Sequence, residues 1–381
     1  MNLRGDFKEG GVSLAPEPTD EQFTILEGAT SPTLTWFVQG LTHELERHGY
    51  GYSRRAVPDI RLVLNVVDRD NPQPYRRKAQ ATFVVAIVEL DRYPDDFLRT
   101  GYPYLVRALS NLGIMLTRGA DGLEAHFMTM EQGHYVVRHT PGHDAEFFEH
   151  IYSRVRPLAA SQLVINNVYN TDLEPSLHQG DEITEQLKRS GRKLDAMNLL
   201  PAPFPIHEIL APRELKHVMR LYGIGGLSYG NLSARKDEQR YWMSASGVNK
   251  GKLETIGRDI LLVSDFDPEQ PAMILSVPPE VQPRRVSVDA IEHWMIYREH
   301  PEVGAIVHVH AWMDGIKSTE VNFPCGTIQL AQAVAELVRQ EPEPGNAVIG
   351  LKNHGVTITG SSLDEIFARI EGQIIPQVPM S

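Results

Sequence analysis

Hydrophobic positions in the first half of the chain follow helical spacing in some segments and strand spacing in others. Apolar residues recur at helical spacing after Ser31, which predicts a helix that ends at Gly49. Runs rich in valine and isoleucine predict strands over 60–67 and 82–90 in one sheet. Further patterns predict a helix over 95–116, a hairpin over 123–137 and a helix over 144–156. We therefore expect an α+β domain over residues 31–169.

Prolines indicate where this domain ends. Three prolines fall within 199–205, which excludes a helix interior there and predicts a stiff connector. The chain of 381 residues is also longer than one hydrophobic core usually serves. The predicted division is a loosely ordered arm over 1–30, the α+β domain over 31–169, a polar and proline-rich connector over 170–205 and a second domain over 206–381.

Two histidines of the second domain share one face of a predicted strand. The run 304–313 alternates so that Ile306, His308 and His310 lie on one face and small apolar residues lie on the other. Imidazoles two positions apart on a strand can bind one metal ion together. His354, which closes a later apolar run, is the best candidate for a third ligand. The alternative is that all three are half-buried strand or turn histidines without a ligand.

Small polar residues suited to an anion occur at three further places. Gly230 and Asn231 stand in a glycine-rich stretch, where backbone N–H groups and an amide can approach an anionic oxygen. Ser246 and Gly247 form a second small-residue turn. Ser287 is predicted as the N-cap of the following helix, whose first turn again favours an anion. Glycine also simply makes turns, so each of these features is weak alone.

Composition narrows the class of protein. Hydrophobic residues make up 41% and charged residues 23% of the chain, as in ordinary globular proteins. The formal net charge of −12 argues against nucleic-acid or membrane partners, because both need clustered positive charge. Cys325 is the only cysteine, so no intramolecular disulfide can form and a cytoplasmic location is expected. Neither a signal-peptide core nor an apolar run of membrane-span length is present in the sequence.

Two other polar clusters can be understood without a ligand site. One cluster comprises His134, His139, His143, Asp144 and His150. No pair among them has a strand or helix register that makes the side chains converge, so a second metal site is not part of the main hypothesis. The basic loop 68–78 could bind an anion, although such loops are more commonly just solvated.

Five short motifs in a fixed order resemble the class II aldolase/adducin family. They are Gly-Asn-Leu-Ser-x-Arg at 230–235, Ser-Gly-Val-x-Lys-Gly-x-Leu at 246–253, Ser-x-Asp at 287–289, His-x-His at 308–310 and Asn-His-Gly at 353–355. Each motif is modest alone, whereas five in this order are specific. The resemblance covers about residues 206–375. The family includes aldolases, epimerases, dehydratases and decarboxylases of sugar phosphates, while the first domain carries no recognised signature.

The resemblance implies a fold and a site. The fold class is α/β, with a three-layer α/β/α second domain whose central sheet is mainly antiparallel. Zinc, or another divalent metal, would bind His308, His310 and His354. A substrate phosphate would lie beside Asn231, Ser246, Gly247 and Ser287, and Asp289 would hold the position of the acidic residue near the metal. Homotetramers with sites at subunit interfaces are common in the family.

The function expected from this resemblance is a metal-dependent, lyase-like enzyme for a small hydroxy-carbonyl or hydroxy-acid substrate, such as a sugar phosphate. Three imidazoles leave a coordination position open for substrate oxygens, which would stabilise an enediolate during aldol cleavage or decarboxylation. Asp289 would transfer the proton, unless it is only a first-turn helix acid favoured by the dipole. Epimerase and dehydratase reactions stay open. The alternatives are a non-catalytic adducin-like binding module and a protein whose first domain carries the main function.

Two features depart from the family pattern. Many members have two serines before the acidic residue, whereas the second position here is Val288. Arg284 and Arg285 could instead meet a substrate carboxylate or stay solvated. The sequence also ends soon after a predicted helix over 362–372, whose start resembles a capping box. We therefore expect the longer tail that supplies a catalytic tyrosine in some relatives to be absent.

Overall fold

The computed structural model describes residues 22–55, 60–76, 82–129, 133–197, 199, 208, 210–215 and 230–381. Two β-sheets organise these residues. The first sheet has seven strands, which are β1 (Gln22–Glu27), β2 (Gly51–Tyr52), β3 (Leu62–Val66), β4 (Phe83–Glu89), β5 (Leu112–Gly119), β6 (Gly122–Thr129) and β7 (His134–Arg138).

Five neighbouring strands of the first sheet are parallel. The strand order is β2-β1-β3-β4-β5-β6-β7. The pairs β5–β6 and β6–β7 are antiparallel, and the other pairs are parallel. Strands β3 and β4 pair from Leu62 opposite Phe83 to Val66 opposite Ile87, which confirms the prediction of two strands in one sheet. Their continuous apolar sequences follow from burial on both faces of a parallel sheet.

Helices cover both faces of the first sheet. They are α1 (Pro32–Arg47), α2 (Phe97–Arg107) and α3 (Asp144–Ala159). Helix α1 begins at the N-cap Ser31, as predicted, because the Ser31 side chain accepts a hydrogen bond from the Leu34 N–H. Helices α1 and α3 pack on one face through residues such as Phe37 and Phe148, and α2 packs on the other face through Leu105.

The predicted helix over 95–116 is wrong at its end. Helix α2 stops at Arg107, and Leu109 has a φ of 55°, which a continuing helix does not allow. Leu112 then begins strand β5, which pairs with β4 on one side and β6 on the other. Pairing in the sheet therefore outweighs the helical spacing of the leucines in this segment.

The second sheet has nine strands and is mainly antiparallel, as the family resemblance implied. The strands are β8 (Asn166–Asn170), β9 (Gly230–Arg235), β10 (Tyr241–Ser244), β11 (Ile260–Asp267), β12 (Ala272–Ser276), β13 (Ala305–Val309), β14 (Lys317–Ser318), β15 (Val348–Leu351) and β16 (Gly355–Gly360). Their order is β14-β15-β16-β13-β9-β10-β11-β12-β8. Only the outermost pairs, β14 with β15 and β12 with β8, are parallel.

Two helix layers enclose this sheet, which confirms the three-layer α/β/α architecture. The helices are α4 (Glu182–Ala196), α5 (Ala290–Glu299), α6 (Ile328–Arg339) and α7 (Leu363–Ile370). Ile306 of β13 faces a core formed with α5 and α6, whereas Val307 faces the core formed with α4 and α7. The predicted alternation of strand β13 is therefore confirmed. Helix α7 begins at Ser362, whose side chain accepts a hydrogen bond from the Glu365 N–H.

Part of the predicted connector 170–205 is ordered and packed. Helix α4 lies within this range, and its Leu187 and Leu194 are buried in a core of the second sheet. The proline cluster and most of the glycine-rich stretch before Gly230 lie outside the described residues. The proposed domain limits therefore stay predictions.

Among the described residues, no helix is long and apolar enough to cross a membrane.

Candidate metal and substrate site

The structure brings three histidines together on the second sheet. His308 lies in strand β13, His310 follows its end, and His354 lies in the turn between β15 and β16. One nitrogen from each ring lies within 4.8 Å of the other two. The Nε2 atoms of His310 and His354 are 3.2 Å apart. Nitrogens bound to one tetrahedral zinc at about 2.0–2.1 Å would have a similar separation.

Burial keeps the imidazoles of His308 and His354 in the form that binds metals. His308 is fully buried and His354 nearly so. Burial lowers the pKa of His354 to about 4, and burial and then the neighbouring His354 and His310 hold the pKa of His308 well below its usual value. Neutral imidazole is the ligand form, because a metal needs the free electron pair on nitrogen.

Thr357 orients the ring of His308. The Thr357 hydroxyl donates to Glu292 Oε1 at 2.5 Å and lies 3.4 Å from His308 Nδ1. With a proton on Nδ1 the His308 ring can donate to the Thr357 oxygen, so this contact suits that tautomer. His308 Nε2 is then left with an electron pair, and this buried atom has no hydrogen-bond partner among the described residues. A buried nitrogen with a free electron pair is suited to bind a metal ion.

Asp289 is connected to the histidines through Asn231. Asn231 on strand β9 lies directly opposite His308 on β13. Its amide Nδ2 donates to Asp289 Oδ2 at 2.7 Å, and both side chains are buried. Asp289 therefore lies at the edge of the histidine cluster with one carboxylate oxygen held by an amide.

Three of the four predicted phosphate-binding residues lie on two segments whose backbones are hydrogen-bonded to each other. The Ser246 N–H donates to the Arg285 carbonyl at 2.9 Å, and the Ser287 N–H lies 3.4 Å from the Ser244 carbonyl. Gly247 has a φ of 67°, which favours glycine at that position of the turn. Ser246, Gly247 and Ser287 thus occur in neighbouring segments of backbone, although their contact with a phosphate stays a prediction.

A buried lysine supports the same turn. Lys250 is 2% exposed, and its ammonium donates to the carbonyl of Val248 at 3.2 Å and reaches that of Ala245 at 3.5 Å. These carbonyls flank Ser246 and Gly247. Burial lowers the pKa of Lys250 to about 8, while the charge of Asp289 opposes this effect. Lys250 therefore fixes the turn and places positive charge near Asp289.

Two local predictions are corrected by the structure. Ser287 is not the N-cap of helix α5, because the helix begins one position after Asp289, which is itself the N-cap without a side-chain capping bond. Gly230 and Asn231 lie in strand β9 rather than in a turn. The pairing of β9 with β13 explains this difference, since a Cβ at Gly230 would lie 2.0 Å from the His308 carbonyl oxygen. Glycine is needed here for close approach of two strands.

Three residues of the site were missed by sequence analysis. Glu292 lies three positions after Asp289 on one helix, Thr357 interrupts an apolar strand, and Lys250 resembles a solvated turn cation. Burial raises the pKa of Glu292 to about 8, with a further contribution from the nearby Asp289. The spacing of Asp289 and Glu292 was a usable signal, because residues three apart share a helix face.

Side chains of the other histidine cluster contact neighbouring residues in the structure. Among the described residues, the one further group that could hold a metal is Glu44, His48 and Glu149. Arg47 already forms ion pairs with both of these carboxylates. In the cluster over 134–150, His139 contacts Asp144 at 2.7 Å, and His134 instead contacts His126 at 2.9 Å.

The fold and the histidine site together define an α/β/α domain of the class II aldolase type. Residues 213–313 match the family described as class II aldolase and adducin N-terminal domain. This match includes four of the five motifs that indicated the family, and the fifth motif, at 353–355, lies beyond it.

Curated relatives match only part of the chain. A methylthioribulose-1-phosphate dehydratase of Xanthomonas campestris pv. campestris (strain B100) is 33% identical over 129 residues, which is 32% of this chain and 54% of that protein. The protein of the same name from Stenotrophomonas maltophilia (strain R551-3) is 33% identical over 88 residues, 23% of this chain and 36% of that protein. The chain thus spans about half the length of the first of these relatives.

Solved structures show weak overall similarity. An L-fuculose 1-phosphate aldolase aligns with 18% identity and a TM-score of 0.35, covering 51% of this chain and 82% of that one. YgbL from Klebsiella pneumoniae aligns with 20% identity and a TM-score of 0.33, covering 50% of this chain and 84% of that one.

Proposed function

We propose that this protein is a metal-dependent lyase of the class II aldolase family that acts on a small phosphorylated hydroxy-carbonyl compound. The observation that supports this most directly is the group of His308, His310 and His354, with the buried Nε2 of His308 lacking a partner among the described residues. A solely structural role would leave that nitrogen desolvated without compensation, which is costly. A binding module without a metal would not need this buried nitrogen.

The three histidines would hold zinc or another divalent metal. When bound, such a metal supplies an open coordination position and Lewis acidity toward substrate oxygens. The contact of His308 with Thr357, which is bonded to Glu292, suits the ligand tautomer of the ring. The ring of His308 would therefore already be oriented for binding in the metal-free protein, because contacts within the chain hold it.

Asp289 would transfer the proton during the reaction. Asn231 holds one oxygen of its carboxylate, which fixes the direction of the other. Removal of a proton beside a carbonyl is the common first step of several lyase reactions, so Asp289 would serve as the base at that step. Asn231, Ser246, Gly247 and Ser287 would hold the substrate phosphate.

The relatives favour dehydration over the C–C cleavage that the sequence alone suggested. Their names specify a methylthioribulose-1-phosphate dehydratase, which breaks a C–O bond in a phosphorylated sugar. We therefore propose elimination of water from a sugar phosphate as the first reaction to test, and aldol cleavage or decarboxylation as the second. The reactions differ in which bond supplies the electrons: dehydration would remove a C–H proton beside the carbonyl, aldol cleavage would remove the proton of the hydroxyl on the carbon that is split off, and decarboxylation would release CO2 before a proton is added. Asp289 would accept the proton in the first two reactions and donate it in the third.

Metal analysis followed by activity assays tests this proposal. We expect about one equivalent of zinc or another divalent metal per chain by mass spectrometry, and its loss in His308→Ala. His150→Ala removes an exposed histidine on α3 and should keep the metal. Methylthioribulose 1-phosphate and fuculose 1-phosphate then distinguish dehydration from aldol cleavage. Absence of metal after reconstitution would contradict the proposal of a metal-dependent enzyme and would favour an adducin-like binding module.

Assembly into a homotetramer and a cytoplasmic location belong to the same proposal. Two points support assembly: sites at subunit interfaces are common in the family that the sequence resembles, and His310 is only partly buried in the isolated chain. Light scattering of the purified protein tests the assembly. If the protein is a monomer at micromolar concentration and still turns over substrate, the proposal of a tetramer with sites at subunit interfaces is wrong.

A further inference from the structure

A cavity of about 490 Å³ opens on the first sheet, away from the histidine site. It is lined by residues that follow the carboxyl ends of four neighbouring parallel strands, β1, β3, β4 and β5. Its floor is apolar, with Leu34, Val67 and Leu90 buried there. Its rim is polar and charged. The volume lies within the range of about 300–1,000 Å³ that is typical of small-molecule sites.

The position of this cavity follows from the strand order. In the parallel part of the sheet, β2-β1-β3-β4-β5, the chain moves from β1 to one side through α1 and then crosses to the other side at β3. The order therefore reverses between β1 and β3. In open parallel sheets, this reversal leaves a crevice at the carboxyl ends of the strands, and ligands bind there.

Two arginines at the rim lack an acidic partner among the described residues, whereas the carboxylates at the same rim, Asp68, Asp70, Glu89 and Asp91, bond within the chain. Arg92 follows β4 and Arg118 lies at the end of β5, and both are exposed. Within the described part of the chain, neither guanidinium forms an ion pair, whereas Arg69 of the same rim pairs with Asp70 and Asp91. Guanidinium groups bind phosphate with paired hydrogen bonds, so two of them without acids suit a phosphate.

The start of helix α1 lies at the same cavity. Thr30 and Ser31 line the cavity just before the first turn of a 16-residue helix. The first N–H groups of a helix lack partners within it and carry partial positive charge. The nearby carboxylate of Glu89 accepts from the Ser31 hydroxyl, so this acid is engaged by a neutral partner rather than by Arg92 or Arg118.

Carboxylates on the rim suit hydroxyl groups of the same ligand. Asp68 and Asp70 follow strand β3 and line the cavity. An acid near the phosphate site of an open parallel sheet commonly accepts hydrogen bonds from ribose hydroxyls. We propose that this cleft binds a phosphorylated sugar or nucleotide, with the phosphate on Arg92 and Arg118 and the sugar hydroxyls facing Asp68 and Asp70. The site shares no residue with the histidine cluster and does not depend on the proposed lyase activity.

Calorimetry on the full chain tests this proposal with AMP and ribose 5-phosphate as probes and adenosine as the unphosphorylated control. We expect binding of at least one phosphorylated probe at one site per chain, and at least tenfold weaker binding of adenosine. The double variant Arg92→Gln/Arg118→Gln should bind the phosphorylated probe at least tenfold more weakly than the wild type does. Both arginines are exposed, so the variant should fold, and an unchanged thermal transition checks this.

Two control variants test whether the probe binds in this cleft. Arg99→Gln/Arg298→Gln removes the same charge from exposed positions that do not line the cavity, so binding should persist. Asn231→Ala alters the histidine site, and this variant should also keep its affinity for the probe. Loss of binding in Asn231→Ala would place the probe at the histidine site and overturn the proposal. Equal binding by Arg92→Gln/Arg118→Gln, or no binding of either phosphorylated probe to the wild type at millimolar concentration, would overturn it as well.

Discussion

Asn231 and His308 lie directly opposite each other on neighbouring antiparallel strands, and the Asn231 amide reaches across to Asp289. Register in the sheet therefore couples a metal-binding histidine to an acid on helix α5. A one-residue shift of β9 against β13 would turn Asn231 to the opposite face. The close approach of Gly230 to the His308 backbone helps to fix this register.

Asn231→Ala should lower kcat because Asp289 loses the bond that directs its carboxylate. We expect a decrease of roughly tenfold to a hundredfold, since a misplaced catalytic group can cost about 10²-fold. Metal content should not change, because Asn231 is not among the three histidines. Steady-state kinetics and metal analysis measure both quantities. Asn346→Ala, at an exposed position, is the control. Loss of metal in Asn231→Ala would show that this residue supports the cluster rather than the acid.

Asp289→Asn should abolish most of the activity while keeping the shape of the site. A positioned acid or base contributes about 10²–10⁴-fold to rate, so a decrease of that size is expected in kcat. The substitution removes the charge but not the side-chain volume. Proton exchange at the substrate carbon, followed by NMR, measures the same step separately. An unchanged exchange rate in Asp289→Asn would assign the proton transfer to another residue, and Glu292 would be the first alternative.

Local pattern was sufficient to predict the elements that carry the site, but not all of its contacts. Alternation in 304–313 predicted that His308 and His310 share a face, because strand periodicity depends only on neighbouring residues. Thr357 and Glu292 are 65 positions apart, and no local pattern indicates that they meet. The helix predicted over 95–116 failed for a related reason, since long-range pairing of Leu112–Gly119 with two strands outweighed its helical spacing.

Thr357→Val should weaken metal binding without unfolding the domain. Valine keeps the shape but removes the oxygen that accepts from His308 Nδ1 and donates to Glu292. Loss of such an outer-sphere bond typically costs about 10- to 100-fold in metal affinity. Competition with a chelator measures the dissociation constant. Thr357→Ser restores the hydroxyl and should recover most of the affinity. Equal affinity in the valine and serine variants would mean that this hydroxyl does not orient the ring.

Lys250→Met should remove a pH-dependent contribution to the free energy of unfolding of the protein. Burial lowers the folded-state pKa of Lys250 to about 8, below the value of about 10.4 for an exposed lysine. Between these two values the unfolded chain binds the proton and the folded chain does not, so the stability contributed by this group rises with pH. The difference between the pKa values corresponds to about 3 kcal/mol at most.

The comparison between wild type and Lys250→Met isolates this term from other groups that titrate in the same range. Urea unfolding at pH 7.5 and 10 gives the two free energies for each protein. We expect the wild type to gain stability relative to Lys250→Met as the pH rises. Lys252→Met, which removes an exposed lysine from the same turn, should titrate like the wild type. Parallel curves for wild type and Lys250→Met would show that the Lys250 ammonium keeps its usual pKa and is hydrated in solution.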